Sequence, residues 1–199
     1  AYETMSEIDA SISNNMKFAF DEQFGYLTAC PTNLGTGLRA SVMLFLPALT
    51  ISGLMNKVIR SISRLGLTVR GVFGEGSRAE GYAYQISNEV TLGVTEEDIL
   101  AQVEEVVNKV CALEAAERSA LKTGPSALEI GDDCLRSYGI LTHCAKLSTE
   151  ELIKYTANVK LGVCLGVLKL DDMSLIDDWV VKMRPSNINA AAQRALSPV

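Results

Sequence analysis

The chain has 199 residues, of which 48% are apolar and 21% are charged. This is the composition of an ordinary globular protein, and the length suits one domain with a smaller appendage. The formal net charge of −6 argues against nucleic acid or an anionic membrane surface as the main partner. No apolar run approaches the length that a membrane-spanning helix needs.

Cysteine usage points to a reducing compartment. The five cysteines are odd in number, widely spaced and in no CxxC pattern: Cys30, Cys111, Cys134, Cys144 and Cys164. We therefore expect free thiols and a cytoplasmic protein without a disulfide framework. His143, the single histidine, adjoins Cys144, but this pair supplies too few ligands for zinc, and no metal site is predicted. The chain begins with Ala and shows no signal peptide, so we expect it to be a piece of a longer protein.

In the first half of the chain, short extended segments alternate with helices. A three-four spacing of apolar residues predicts a helix over residues 2–16, and Gly66 ends a second one at about 53–64. Period-two or continuous apolar runs predict strands at 17–20, 26–30, 38–46, 67–72 and 82–87. The sequence GEGSRAEG at 74–81 has no apolar side chain larger than alanine, which predicts a loop over a ligand.

The rest of the chain is predicted to be helical. Thr95 begins a helix that runs to about residue 121, and the apolar stripe of this helix comprises Ile99, Val103, Val106, Val110 and Leu113. Further helices are predicted at 126–141, 148–157, 159–168, 173–183 and 187–195, the second starting from a Ser148–Glu151 capping box. Strands confined to the first half indicate an α+β fold, with an antiparallel sheet and helices in residues 1–122 and an all-helical domain in 123–199.

Cys30 is the first candidate for chemistry. It follows an apolar strand and precedes a turn with two glycines and Arg39, in YLTACPTNLGTGLRAS. A thiol beside backbone N–H groups and a cation can have a depressed pKa. The alternatives are a small buried hydrophobe, which describes most cysteines, and a dyad with His143.

Charged side chains in apolar segments are the second candidate. Arg39 and Arg70 each lie in or at the end of a predicted strand, where they could clamp a phosphate or form structural ion pairs. Glu75, between two glycines, could reach a cationic substrate or could be a solvated loop charge. Neither a Walker sequence nor a protein-kinase signature is present.

Three segments together resemble a known family. CPTNLGTGLRASV at 30–42, VRGVFGEGS at 69–77 and YQISNEVTLG at 84–93 are similar to the signature blocks of the ATP:guanido phosphotransferases, the arginine and creatine kinase family. Within that family the sequence most resembles the bacterial protein-arginine kinase branch. The resemblance implies the C-terminal half of a catalytic domain of the phosphagen-kinase and glutamine-synthetase type, followed by a helical domain for dimerisation or regulation.

The resemblance also implies a role for each candidate. The Cys30 thiolate would contact the guanidinium of the acceptor arginine, and Glu75 would pair with the same group, as base or as a ligand only. ATP, accompanied by Mg²⁺, would give its γ-phosphate to a guanidino nitrogen of arginine side chains in proteins. The implied ATP-binding residues are Arg39, Ala40, Ser41, Val42, Met43, Arg70, Gly71, Val72, Phe73, Gly74 and Glu75.

Departures from the family pattern qualify this interpretation. Met43 and Phe73 stand where small-molecule phosphagen kinases have a histidine and an arginine, which favours the protein-arginine branch. The family's upstream catalytic glutamates are not found here, so we expect little turnover from this chain alone. Implied partners are proteins with exposed arginines, a zinc-binding activator protein, a Clp unfoldase and a second copy in a homodimer. The alternatives are a free-arginine phosphagen kinase and a non-catalytic interaction module of a Clp-linked stress system.

Overall fold

A computed structural model describes residues 1–71 and 80–192 of the chain. Within these ranges the helices are α1 (Tyr2–Ser13), α2 (Pro47–Ile51), α3 (Met55–Ser63), α4 (Glu96–Thr123), α5 (Ala127–His143), α6 (Thr149–Leu165), α7 (Ser174–Lys182) and α8 (Pro185–Ala192). The strands are β1 (Phe20–Asp21), β2 (Gly25–Tyr26), β3 (Ser41–Phe45), β4 (Leu67–Gly71) and β5 (Ala83–Asn88). Strands up to residue 88 and helices thereafter confirm the predicted α+β class.

The main sheet has the order β3-β5-β4, and both pairs of strands are antiparallel. Because successive side chains in a strand point to opposite faces, one face carries Val42, Leu44, Val69 and Ile86. These residues pack with the apolar sides of α3 and α4 in the larger hydrophobic core. The register fixes this arrangement, since Ile86 lies opposite both Val42 and Val69. The other face is therefore the one available for chemistry.

The long helix α4 closes the core and holds α2 in place. It begins with a capping box in which Thr95 and Asp98 bond reciprocally, as the N-cap prediction for Thr95 requires. The predicted apolar stripe is correct up to Val110 but wrong at Leu113, which is 51% exposed. Glu114 takes the buried position instead, because its carboxylate accepts hydrogen bonds from the backbone N–H groups of Ala48 and Leu49, each at 3.0 Å.

Helices α5 and α6 pack against each other around a second core of Ile130, Cys134, Leu161 and Leu165. Burial raises the pKa of the Cys134 thiol to about 11, so this cysteine is a structural one. The capping box that begins α6 is confirmed, but the prediction of separate helices at 148–157 and 159–168 is wrong, since α6 is continuous. It ends where Gly166 adopts a left-handed conformation with φ of 79°.

The helical part contacts the sheet at the start of β5. The hydroxyl of Tyr82 donates to the Asn158 side chain at 3.3 Å, and Asn158 in turn donates to Ser137 at 2.9 Å. Gly81 has φ of 67° and lies so close to α6 that an added Cβ would be 2.8 Å from Ile153 Cγ2. Sequence-distant segments are thus joined by both packing and hydrogen bonds.

The N-terminal elements are shorter than predicted. Helix α1 stops at Ser13, and its apolar side chains Met5, Ile8 and Ile12 are exposed. The strands predicted at 17–20 and 26–30 reduce to the two-residue pair β1 and β2, and the one predicted at 38–46 begins at Ser41. Pro47 ends that strand, as expected, but it also starts α2, which was not predicted. No helix in residues 1–71 and 80–192 combines the length and apolarity needed to span a bilayer.

Candidate active site

Cys30 lies at the start of a one-turn 3₁₀ helix, Pro31–Asn33, for which it provides the N-cap residue. Its side chain is exposed, so the interpretation as a small buried hydrophobe is wrong. The Sγ atom is 3.0 Å from the hydroxyl of Thr32, and the hydroxyl of Thr28 donates to the Cys30 carbonyl at 2.7 Å. Both contacts hold the thiol at the surface of the turn.

Thr32 also tunes the thiol electrostatically. Hydrogen bonds from its hydroxyl and then from its backbone N–H lower the pKa of Cys30 below the ordinary value for a cysteine. Each of these bonds favours the thiolate, because a negatively charged sulfur accepts hydrogen bonds better than a neutral thiol does. A lowered pKa enlarges the thiolate fraction at a given pH, and a thiolate can serve as a nucleophile or as a ligand for a cation.

The turn that carries Cys30 is anchored to the segment after β5. Tyr26 and Gly35 exchange backbone hydrogen bonds of 2.8 and 3.3 Å, which closes the loop 26–35, called the thiol loop below. Thr91 fixes the loop to the body of the protein by donating to the carbonyls of Thr32 and Leu34. Gly35 makes this approach possible, since its φ is 108° and an added Cβ would lie 2.1 Å from the Thr91 carbonyl oxygen. The glycine is therefore required by the geometry of the thiol loop.

The two predicted arginines lie on one face of the sheet. Arg39 precedes β3 and has the same strand parity as Ser41 and Met43, which are paired with Ser87 and Gln85 of β5. Arg70 lies opposite Gln85 from the other side, so its side chain shares that face. The guanidinium of Arg39 donates to the buried hydroxyl of Ser87 at 3.1 Å. This face, opposite to the apolar core, carries both guanidinium groups and is called the arginine face below; guanidinium groups suit phosphate and carboxylate.

The β3 residues predicted to bind ATP divide between the two faces. Ser41 and Met43 are exposed on the arginine face, where Met43 has 55% of its surface accessible. The side chains of Ala40 and Val42 pack against the core, so these two residues can line a ligand only through their backbone. Gly71 ends β4. The remaining candidates, Val72, Phe73, Gly74 and Glu75, lie outside the described residues, as does most of the predicted loop.

Asn88 is a residue that the sequence analysis missed. Its side chain accepts from the Ala40 backbone at 2.8 Å and donates to the carbonyls of Leu38 and Val90. Together with Thr91 it connects the Cys30 loop and the Arg39 segment to the end of β5. The only signal was a run of polar residues at the end of a strand, which turns also show.

Comparisons with known proteins place the fold described above in a family. Residues 1–117 match the family model described as ATP:guanido phosphotransferase, C-terminal catalytic domain. The chain belongs to the ATP:guanido phosphotransferase family. Residues 127–199 match a second model, described as the protein-arginine kinase McsB C-terminal domain.

The names of individual similar proteins are more specific than the family description. Proteins named protein-arginine kinase from Halothermothrix orenii and Geobacillus stearothermophilus are each 43% identical to this chain, over 198 and 199 residues. The alignments cover all of this chain but 56% and 54% of the two relatives. The chain therefore spans about half the length of these proteins.

Solved structures support the fold. The duplicated taurocyamine kinase from Schistosoma mansoni with bound transition state analog components is 34% identical, with a TM-score of 0.51, over 58% of this chain and 16% of that one. The substrate-free form of the duplicated taurocyamine kinase is 26% identical, with a TM-score of 0.52, over 76% and 21%. The similarity indicates that the α+β fold of this chain is the fold of phosphagen kinases.

Proposed function

We propose that this chain is the C-terminal portion of an ATP-dependent protein-arginine kinase, which transfers the γ-phosphate of ATP to a guanidino nitrogen of arginine side chains. The observation that carries the proposal is that Arg39, which bonds to Ser87 of β5, and Arg70, which pairs with Gln85 of β5, lie on one face of the sheet, opposite the core. Two guanidinium groups on one face suit a polyphosphate, which carries several anionic oxygens. The relatives named protein-arginine kinase support the choice of acceptor.

The described residues would divide the reaction between two parts of the site. Arg39, Ser41, Met43 and Arg70 would bind ATP, with Mg²⁺ accompanying the nucleotide and neutralising phosphate charge. The Cys30 thiolate would bind the guanidinium of the acceptor arginine and aim its nitrogen at the γ-phosphate. An anionic sulfur suits this task because the acceptor is a cation, and the bonds from Thr32 favour the anionic form by lowering the pKa of Cys30. Glu75 would pair with the same guanidinium.

The proposal includes the organisation of the protein. We divide the chain into a catalytic part, 1–122, and a helical part, 123–199, for dimerisation or regulation. Proteins with exposed arginines would be substrates, and a zinc-binding activator protein and a Clp unfoldase would be partners in the cytoplasm. The odd number of cysteines supports the reducing compartment.

The test is formation of acid-labile phosphoarginine on an arginine-rich unstructured protein. The assay uses this chain alone and this chain joined to the segment that precedes the matched region in the Geobacillus stearothermophilus relative. We expect transfer by the joined form, and we expect Cys30→Ser to lower the rate about 100-fold, as misplacement of a reacting group does. Cys111→Ser, the same change at an exposed thiol on α4, is the matched control and should leave the rate unchanged.

Acceptor choice separates the candidate functions. Two solved structures similar to this fold are named taurocyamine kinase, so a kinase for a free guanidino compound is the second candidate. Transfer to free arginine but not to protein would favour it. No transfer to either acceptor by the joined form would refute both kinase assignments and favour the interaction module.

A further inference from the structure

A cavity of about 380 Å³ lies where the arginine face of the sheet meets the helical part. The sheet contributes Met43 and Phe45, α6 contributes Ile153 and Lys160, and α7 contributes Asp177. Cavities of this size that combine apolar walls with a few convergent polar groups are typical of small-molecule sites. Neither part of the chain forms this cavity alone.

Lys160 is held firmly at the wall of the cavity. Its ammonium group lies 4.9 Å from the centroid of the Phe45 ring and within 2.7 and 3.0 Å of the two carboxylate oxygens of Asp177. Only 16% of the Lys160 side chain is exposed, whereas 64% of the Asp177 side chain is. The ring face and the carboxylate take the place of water around the ammonium group.

The cavity continues the arginine face along the sheet. On β3 the residues of this face follow one another in steps of two, from Arg39 through Ser41 and Met43 to Phe45. Arg39 and Met43 are thus about 13 Å apart along the strand, at roughly 3.3 Å per residue. Arg70 lies level with Met43, since both residues pair with Gln85 of β5. A ligand lying along the face with its anionic end at Arg39 would pass Arg70 and place its other end in the cavity beside Met43.

We propose that the helical part completes the nucleotide site, with the Lys160–Asp177 pair selecting adenine at the far end of the ligand. This inference rests on the proposed function. The ammonium has three N–H donors and uses two on Asp177, while the carboxylate has further lone pairs. The pair therefore presents a donor beside an acceptor.

This pattern complements one purine and not the other. Adenine offers an acceptor, N7, beside a donor, the N6 amino group, whereas guanine offers two acceptors, N7 and O6, on the corresponding edge. Guanine would leave the Asp177 carboxylate facing O6, which costs affinity because two acceptors repel. Met43 and Ile153 would lie along the apolar faces of the base. The helical part thereby becomes a determinant of nucleotide specificity.

The experiment compares the equilibrium binding of ATP, GTP and inorganic triphosphate, each with Mg²⁺, by titration calorimetry on this chain. We expect ATP to bind about tenfold more tightly than GTP, the discrimination of one good bidentate base contact. Asp177→Ala should abolish that ratio and leave triphosphate binding unchanged. The matched control is Asp178→Ala, the adjacent carboxylate, which pairs with Lys182 at 3.4 Å on the exposed side of α7.

A second variant tests the cavity without touching the ion pair. Ile153→Trp fills the cavity, so we expect it to weaken ATP binding while triphosphate still binds. If wild-type protein binds ATP, GTP and triphosphate equally, or if Asp177→Ala keeps the ratio, the inference is overturned and the proposed function stands. If neither ATP nor triphosphate binds to the wild-type chain, both the inference and the nucleotide site of the proposed function are refuted.

Discussion

At the scale of single residues, the chemistry of the thiol loop depends on Thr32. The hydroxyl and the backbone N–H of this residue lower the pKa of Cys30, whereas Thr28 bonds only to the Cys30 carbonyl. Two threonines that flank the cysteine therefore have different roles. The difference is visible only in the folded loop, since both are separated from Cys30 by one residue.

The pH dependence of thiol alkylation tests this assignment. Because the pKa of Cys30 is depressed, its thiolate, which is the reactive form, persists to lower pH than an ordinary thiolate does. Thr32→Val removes the largest cause of the shift, so the midpoint of the alkylation rate against pH should move upward. The rate of iodoacetamide labelling at Cys30, followed by peptide mass spectrometry, gives the midpoint.

The control for this prediction is Thr28→Val, which makes the same change two residues before the cysteine. It removes a bond to the backbone but none to the sulfur, so the midpoint should match that of the wild type. Equal upward movement in both variants would show that loosening of the loop, and not the hydroxyl of Thr32, sets the pKa of Cys30.

At the scale of elements, local sequence predicts a helix that begins with a capping motif in its own residues. It fails where contacts with a distant segment decide which residue is buried. Thr95 and Ser148 begin helices because their capping boxes are written in neighbouring residues. The burial of Glu114 in place of Leu113 has its cause in another helix, since the carboxylate bonds to the N-terminal backbone of α2. Asn158 lies at the predicted boundary between two helices, yet it bonds across to Ser137 within a continuous α6.

The candidate site was predictable to the same degree. Sequence pattern selected Cys30, Arg39 and Arg70 as candidates and put Arg70 in a strand, which the structure has as β4. It did not divide β3 into Ser41 and Met43 on one face and Ala40 and Val42 on the other, because the ligand-binding prediction for these residues came from family resemblance. Pairing with β5 decides the faces, and that pairing involves residues more than 40 positions away.

Two glycines, one in α5 and one in α6, give predictions of opposite sign for the stability of the protein. At Gly162 an added Cβ would lie 2.9 Å from the Cβ of Cys134 and 3.0 Å from Leu168 Cδ1, whereas at Gly139 no atom of the described residues lies within 4 Å of the added Cβ. Gly162→Ala should therefore destabilise the protein by about 1–3 kcal/mol through overpacking. Gly139→Ala should stabilise it by about 0.5–1 kcal/mol, because alanine loses less entropy in a helix.

Urea unfolding followed by circular dichroism measures both changes. The two substitutions are chemically identical and both lie inside helices, so their difference isolates the packing at the crossing. If Gly162→Ala is as stable as Gly139→Ala, the helices can separate freely and the close approach at Cys134 does not contribute to stability.

At the scale of the whole molecule, the contacts between the two parts of the chain predict joint unfolding. Tyr82 bonds to Asn158, Gly81 packs against Ile153, and Lys160 lies over the ring of Phe45. Each contact joins residues 1–122 to α6, so unfolding of either part of the chain exposes apolar surface and polar groups of the other. The two parts should therefore unfold in a single transition, although different family models match them.

Trp179, the single tryptophan, lies in α7 and reports on the helical part by fluorescence, while far-UV circular dichroism reports on all helices. In urea we expect the two probes to share one midpoint. Asn158→Ala should lower the midpoint seen by both probes equally. The corresponding loss in the free energy of unfolding should be about 1–2 kcal/mol, because polar partners are left unsatisfied. Asn56→Ala, at an exposed position on α3, should change stability by less than about 0.5 kcal/mol. Two separate midpoints in the wild type would mean that the junction is too weak to couple the parts, and the shared cavity would then lack a fixed wall.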